Sequence, residues 1–213
     1  MNLDIILILV VLTNLRLLGA SRIGASVRTV AVQGILLGLL ALLAHHGKLS
    51  VSVWLVAVGG AVLKGVVFPW LLSRALRSAE VEREVEPFVG PNVSLLAGVA
   101  ALGVSLWLAQ RLPLPEGAHS SVLVAVALFS ILVGLFLIVA RKKAISQVLG
   151  FLVMENGIYT FGVGLVQESP LLVEFGVMLD VFVAVFVMGI ALFHISREYD
   201  HIDTHELTTL KDT

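Results

Sequence analysis

The sequence predicts an all-α, polytopic membrane protein of seven transmembrane helices, with its N-terminus outside and its C-terminus in the cytoplasm. Three observations carry that reading. Of 213 residues, 58% are hydrophobic and 14% charged, whereas a soluble domain carries about 25% charged residues. The apolar residues fall into seven runs, near the roughly 20 residues that a helix rising about 1.5 Å per residue needs to cross an apolar core about 30 Å thick. The 14 Lys and Arg are shared unevenly between alternate loops. The absence of cysteine excludes disulfide scaffolds, thiolate metal sites and cysteine-held iron–sulfur clusters. Fourteen basic residues against 15 acidic ones leave no basic footprint for nucleic acid.

Taken in order, the expected spans are Leu3 to Leu18, Val27 to Ala44, Val51 to Ser73, Asn92 to Ala109, Ser121 to Ala140, Ala144 to Val166 and Leu171 to Ile195. The first is short and carries Asp4, Asn14 and Arg16; it has no basic start of the kind a cleaved signal peptide shows, so it reads as a retained helix. Counting loops alternately, one side collects Arg16, Arg22, Arg28, Arg74, Arg77, Arg83, Arg141, Lys142, Lys143, Arg197 and Lys211, and the other only Lys48 and Arg111. The excess of basic residues marks the cytoplasmic side. Trp54, Trp70 and Trp107 lie near span ends, where amphipathic rings prefer to sit.

Short connections imply one helical bundle, divided by the sequence into a five-helix region over 1–140, C-terminal helices over 141–197 and a polar cytoplasmic tail over 198–213. The loop from Arg74 to Pro91 contains four glutamates, at 80, 82, 84 and 86. It reads either as a solvated interfacial loop or as a docking surface for a soluble partner.

An ionisable side chain at mid-bilayer costs roughly 2.5–3.5 kcal/mol even on the lenient insertion scale, so each one is a candidate for function. Lys64, Glu155 and Asp180 stand out. Pro69, beyond Lys64, frees a backbone carbonyl and favours a kink there. Glu155 and Asp180 lie about 18 Å and about 16 Å below the connection between their helices, by the rise per residue, hence at nearly one level on antiparallel neighbours. Two carboxylates close together in low dielectric cannot both stay ionised, and one could then take up and release protons; a nearby Lys64 ammonium would oppose that and could switch it. The competing reading has Lys64 paired with an acid purely to hold helices together. Asn156, Tyr159 and Thr160 extend Glu155 into a polar seam, and Glu174 lies about 7 Å from the outer end, at an outer mouth or merely solvated. His45, His46 and His119 fall on the outer side and His194, His201 and His205 at or beyond the inner end, so no histidine pair occupies mid-span as a haem would require. Gly150, Gly157, Gly162 and Gly164 read as positions of close helix approach.

The string Gly150-Phe151-Leu152-Val153-Met154-Glu155-Asn156-Gly157, then Pro170-Leu171-Leu172-Val173-Glu174, Asp180-Val181-Phe182-Val183-Ala184-Val185 and Leu207-Thr208-Thr209-Leu210-Lys211, with Lys64 and Pro69 upstream, resembles the hydrogenase-4 component E family. The last three helices also resemble the K subunit of complex I and the C subunit of multisubunit cation/proton antiporters, which place a basic loop, here Arg141-Lys142-Lys143, before two helices with buried acids. In that register the complex I-type glutamate would fall at Leu152; here the acid is Glu155, one turn later, and the second acid is Asp180 in place of glutamate.

The resemblance implies a subunit of a complex I-like group 4 nickel–iron hydrogenase, or formate hydrogenlyase-type, complex in the cell's inner membrane. It implies a subunit without catalysis or cofactor of its own, placed among antiporter-like and quinone-site-like membrane subunits, lipid and a soluble hydrogenase arm. Glu155, Asp180, Lys64 and Glu174 would then lie on a proton or sodium path, bordered by Asn156 and Tyr159. A small antiporter subunit and a purely structural scaffold are the alternatives.

Overall fold

Unbroken apolar runs leave the backbone no partner but itself, and the described elements are all helices. The computed structural model describes residues 3–44, 51–78, 88–113 and 120–165. The described helices are α1 (Leu3–Leu18), α2 (Ile23–Ala44), α3 (Val51–Val62), a π-helical turn (Leu63–Val67) leading into α4 (Phe68–Ser78), α5 (Pro91–Arg111), α6 (Ser121–Ala140) and α7 (Ala144–Leu165). Among the described residues four stretches, Ile23–Ala44, Ala57–Arg74, Pro91–Arg111 and Ser121–Ala140, are long and apolar enough to cross a bilayer. The expected seventh span, with Asp180 and Glu174, lies outside the described residues, as do all six histidines and the tail.

Helix ends follow local chemistry. Pro91 opens α5 where its missing N–H costs nothing, and the Ser120 hydroxyl accepts the Leu123 N–H at 3.1 Å to cap α6. The second helix starts at Ile23, four residues before the expected Val27, because Arg28 and the hydroxyls of Ser26 and Thr29 bond back to carbonyls of the preceding turn and so tolerate helix.

The third expected span bends its hydrogen-bond register at Pro69. Proline offers no N–H to the carbonyl four residues back, and its ring crowds the preceding turn. The helix widens there: the Phe68 N–H reaches the Leu63 carbonyl, five residues back. The expected kink is thus a π turn, and Lys64 sits in it.

α6 and α7 form the most extensive pairing, and α2 packs against α1, α3, the π turn, α4 and α7. Glycines set these distances. A Cβ on Gly134 would lie 2.4 Å from the Met154 nitrogen, on Gly150 2.8 Å from the Ile138 nitrogen, and on Gly157 2.6 Å from the Ile131 nitrogen. Between α2 and the π turn, a Cβ on Gly34 would lie 2.7 Å from the Lys64 carbonyl carbon.

The ends of α1, α6 and the starts of α2, α5 and α7 meet at one end of the bundle. There the buried Arg141 guanidinium donates from Nη2 to the Leu18 carbonyl at 3.0 Å, and the Phe88 N–H donates to Ala140 at 2.9 Å. Burial pushes Arg141 below the ordinary arginine pKa. Arg16, Arg22, Arg28 and Lys142 are exposed toward this end, while Arg111 closes α5 at the other, stacked on Trp107 at 4.7 Å. Trp54, Trp70 and Trp107 are all exposed.

Candidate functional site

Helices α1, α2 and α6 carry their buried apolar residues in two blocks, and α4 and α7 add to one of them. One cluster joins Leu17 and Leu18, Ile23 to Val30, Phe68 and Leu72, Phe129 to Leu137, and Ile145 to Val153 at the Arg141 end. The other joins Ile6, Leu7 and Val10 with Leu36, Leu37, Leu40, Leu123 and Val126 at the far end. Between the two blocks, α1 places Asn14, α2 Gln33, the π turn Lys64, α6 Ser130 and α7 Glu155 and Asn156, all buried. Residues scattered over more than 140 positions of sequence thus form one polar layer across the middle of the bundle. By rise per residue, Glu155 lies about 16 Å along α7 from its start and Ser130 about 15 Å from the end of α6, so the layer is near mid-bilayer.

Hydrogen bonds run through the layer in one direction. Asn156 Nδ2 donates to Gln33 Oε1 at 3.2 Å, Gln33 Nε2 to Asn14 Oδ1 at 2.9 Å, Asn14 Nδ2 to Ser130 Oγ at 2.8 Å, and Ser130 Oγ to the Val126 carbonyl at 2.9 Å. Four helices are stitched by four amide or hydroxyl side chains. Where water is absent, each such group would otherwise cost several kcal/mol.

On the neighbouring face of α7, Glu155 Oε1 accepts from Lys64 Nζ in an ion pair whose side chains are 1% and 6% exposed. Tyr159, one turn further, presents its ring 4.9 Å from the ammonium. Thr160 bonds back to the Asn156 carbonyl at 2.8 Å.

The two charges expected inside the described spans therefore meet, across 91 residues of sequence. Tyr159 joins them at the cation, while Asn156 turns to Gln33. Leu152, where the complex I-type acid would fall, is buried in the apolar cluster. Gln33 and Ser130 belong to the layer without any mark in the sequence: they are neutral, and only an ionisable side chain stands out inside an apolar span. Among the described residues no group of three or more His, Asp or Glu comes together as a metal site.

The family described as NADH-ubiquinone/plastoquinone oxidoreductase chain 4L matches residues 122–212, which take in α6, α7 and the expected last span. The chain is 35% identical over 191 residues to the uncharacterized protein Rv0085 of Mycobacterium tuberculosis, covering 88% of this chain and 86% of that protein. It is 29% identical over 150 residues to hydrogenase-4 component E of Escherichia coli, covering 70% of this chain and 69% of the relative, and equally to the Shigella flexneri protein of that name. No solved structure matches. Taken with the strings around Glu155 and Lys64, these similarities show that the chain is a homologue of hydrogenase-4 component E and carries a region of the chain 4L type.

Proposed function

We propose that this chain is an integral, non-catalytic membrane subunit of a complex I-like group 4 nickel–iron hydrogenase complex in the inner membrane. It forms part of the proton or sodium path and helps anchor the soluble redox arm. The observation that carries the reading is the buried Lys64–Glu155 pair on a polar layer near mid-bilayer. A charged pair in hydrocarbon is costly to keep for packing alone, since apolar residues of the same volume would hold helices as well or better.

Its chemistry follows from the geometry. The ammonium is the counter-charge of the Glu155 carboxylate, and a proton arriving on that carboxylate cancels the attraction. Protonation of Glu155 and the position of Lys64 are thereby coupled. The π turn holding Lys64 has fewer constraints on register than the α-helix around it, so the lysine can shift. Asp180 and Glu174 continue the path on the last span, and Asn156 and Tyr159 border it. The basic end of the bundle faces the cytoplasm and the soluble arm.

Gentle purification of a tagged chain from its native membrane, with mass spectrometry of co-purifying proteins and a nickel and iron assay, tests the assignment. Hydrogenase and antiporter-like subunits with nickel are expected. Antiporter subunits without nickel would replace it with the cation/proton antiporter reading.

A further inference from the structure

We infer that Gln33 is a positioning residue for Glu155, acting through the side-chain chain Asn156–Gln33–Asn14–Ser130, which fixes the rotation of α7 about its own axis. The inference rests on the proposed role of Glu155 in the proton path. Glu155 and Asn156 are adjacent in sequence, so their side chains leave α7 about 100° apart. Holding Asn156 against Gln33 therefore decides where Glu155 points, and it points at Lys64. A carboxyl carried about 6 Å from a helix axis moves about 3 Å when the helix rolls by about 30°, further than a hydrogen bond tolerates.

The glycine contacts of α7 with α6 set how closely the two backbones approach, and they include no side-chain donor aimed at an acceptor. The amide chain supplies direction, because every link needs one donor aimed at one acceptor. It is also anchored: Gln33 and Asn14 are fully buried, and the last donor ends on the Val126 carbonyl, part of the α6 backbone. Proton conduction along the chain is a poor alternative. Carboxamides carry no proton that titrates near neutral pH, and a backbone carbonyl at the terminus has none to pass on.

The intact membrane complex carrying Gln33→Leu tests this, beside Glu155→Gln and Asn14→Leu. Infrared bands of the Glu155 carboxyl group are those absent from Glu155→Gln, and they report its surroundings independently of transport. Gln33→Leu strands the Asn156 and Asn14 amides, so some loss of complex yield is expected; in the complex that assembles, hydrogenase turnover is expected to stay within about twofold, the Glu155 bands to shift, and proton transport per turnover to fall tenfold or more, as misplacement by an ångström or more does at other reacting centres. Asn14→Leu, one link further away, is expected to shift the same bands less, and carries the test if Gln33→Leu does not assemble. Glu155 bands unmoved in the assembled variants would overturn the positioning role, whatever happened to transport. Normal transport in Glu155→Gln would instead remove the proton-path reading, leaving the bands to decide the role of Gln33 separately.

Discussion

Replacing Lys64 by Met removes the cation facing Glu155 while leaving a side chain of similar length. The pair is almost wholly buried. Breaking a buried pair from one side costs about 3–5 kcal/mol, and a charge at mid-bilayer about 2.5–3.5 kcal/mol on the insertion scale. The two routes agree on about 3 kcal/mol for Lys64→Met, a factor above a hundred in the unfolding equilibrium. Glu155→Leu should lose a similar amount. The double variant Lys64→Met/Glu155→Leu takes both charges out of the apolar interior and should return to within about 1 kcal/mol of the parent, giving a coupling energy of about 5–6 kcal/mol. Unfolding of the purified protein in mixed micelles, titrated with a denaturing detergent and followed by circular dichroism, measures all three. Single variants as stable as the parent, or a double variant as unstable as the two singles summed, would refute the reasoning. The stable double variant should still be defective in transport, which separates packing from function.

Gly34→Ala would place a Cβ 2.7 Å from the Lys64 carbonyl carbon and Cβ, well inside ordinary contact. The π turn would have to retreat, so a loss of about 1–3 kcal/mol in the same titration is expected. Gly103→Ala on α5, where nothing lies within 4 Å of the added Cβ, is the control and should gain about 0.5–1 kcal/mol. Arg141→Met keeps an aliphatic stem but strips the donor from the Leu18 carbonyl, costing about 1–3 kcal/mol. Amide exchange should then accelerate first at the end of α1 and the start of α7.

The described helices were legible because apolar runs of bilayer length allow little else, and their loops because basic residues punctuate them. The similarity to hydrogenase-4 component E was legible in the short strings around Glu155. The π turn was not, since Pro69 announces a disturbed ladder without saying whether the helix kinks or widens. Depth along the axis put Glu155 and Asp180 at nearly one level and left the partner of Lys64 open, because rotation around the axis decides contact, and rise per residue carries no rotation between helices. Gln33, Asn14 and Ser130 each look ordinary in their own spans. Their significance exists only in three dimensions, where α1, α2, α6 and α7 bring these side chains together at one level.

Proton translocation by the assembled complex in sealed vesicles, followed with a pH-sensitive dye during hydrogen turnover and compared between parent and Glu155→Gln, addresses the central claim most directly. Intact assembly and hydrogenase turnover with proton translocation lost are predicted. Undiminished translocation in Glu155→Gln would contradict the account and leave the buried pair a structural tie.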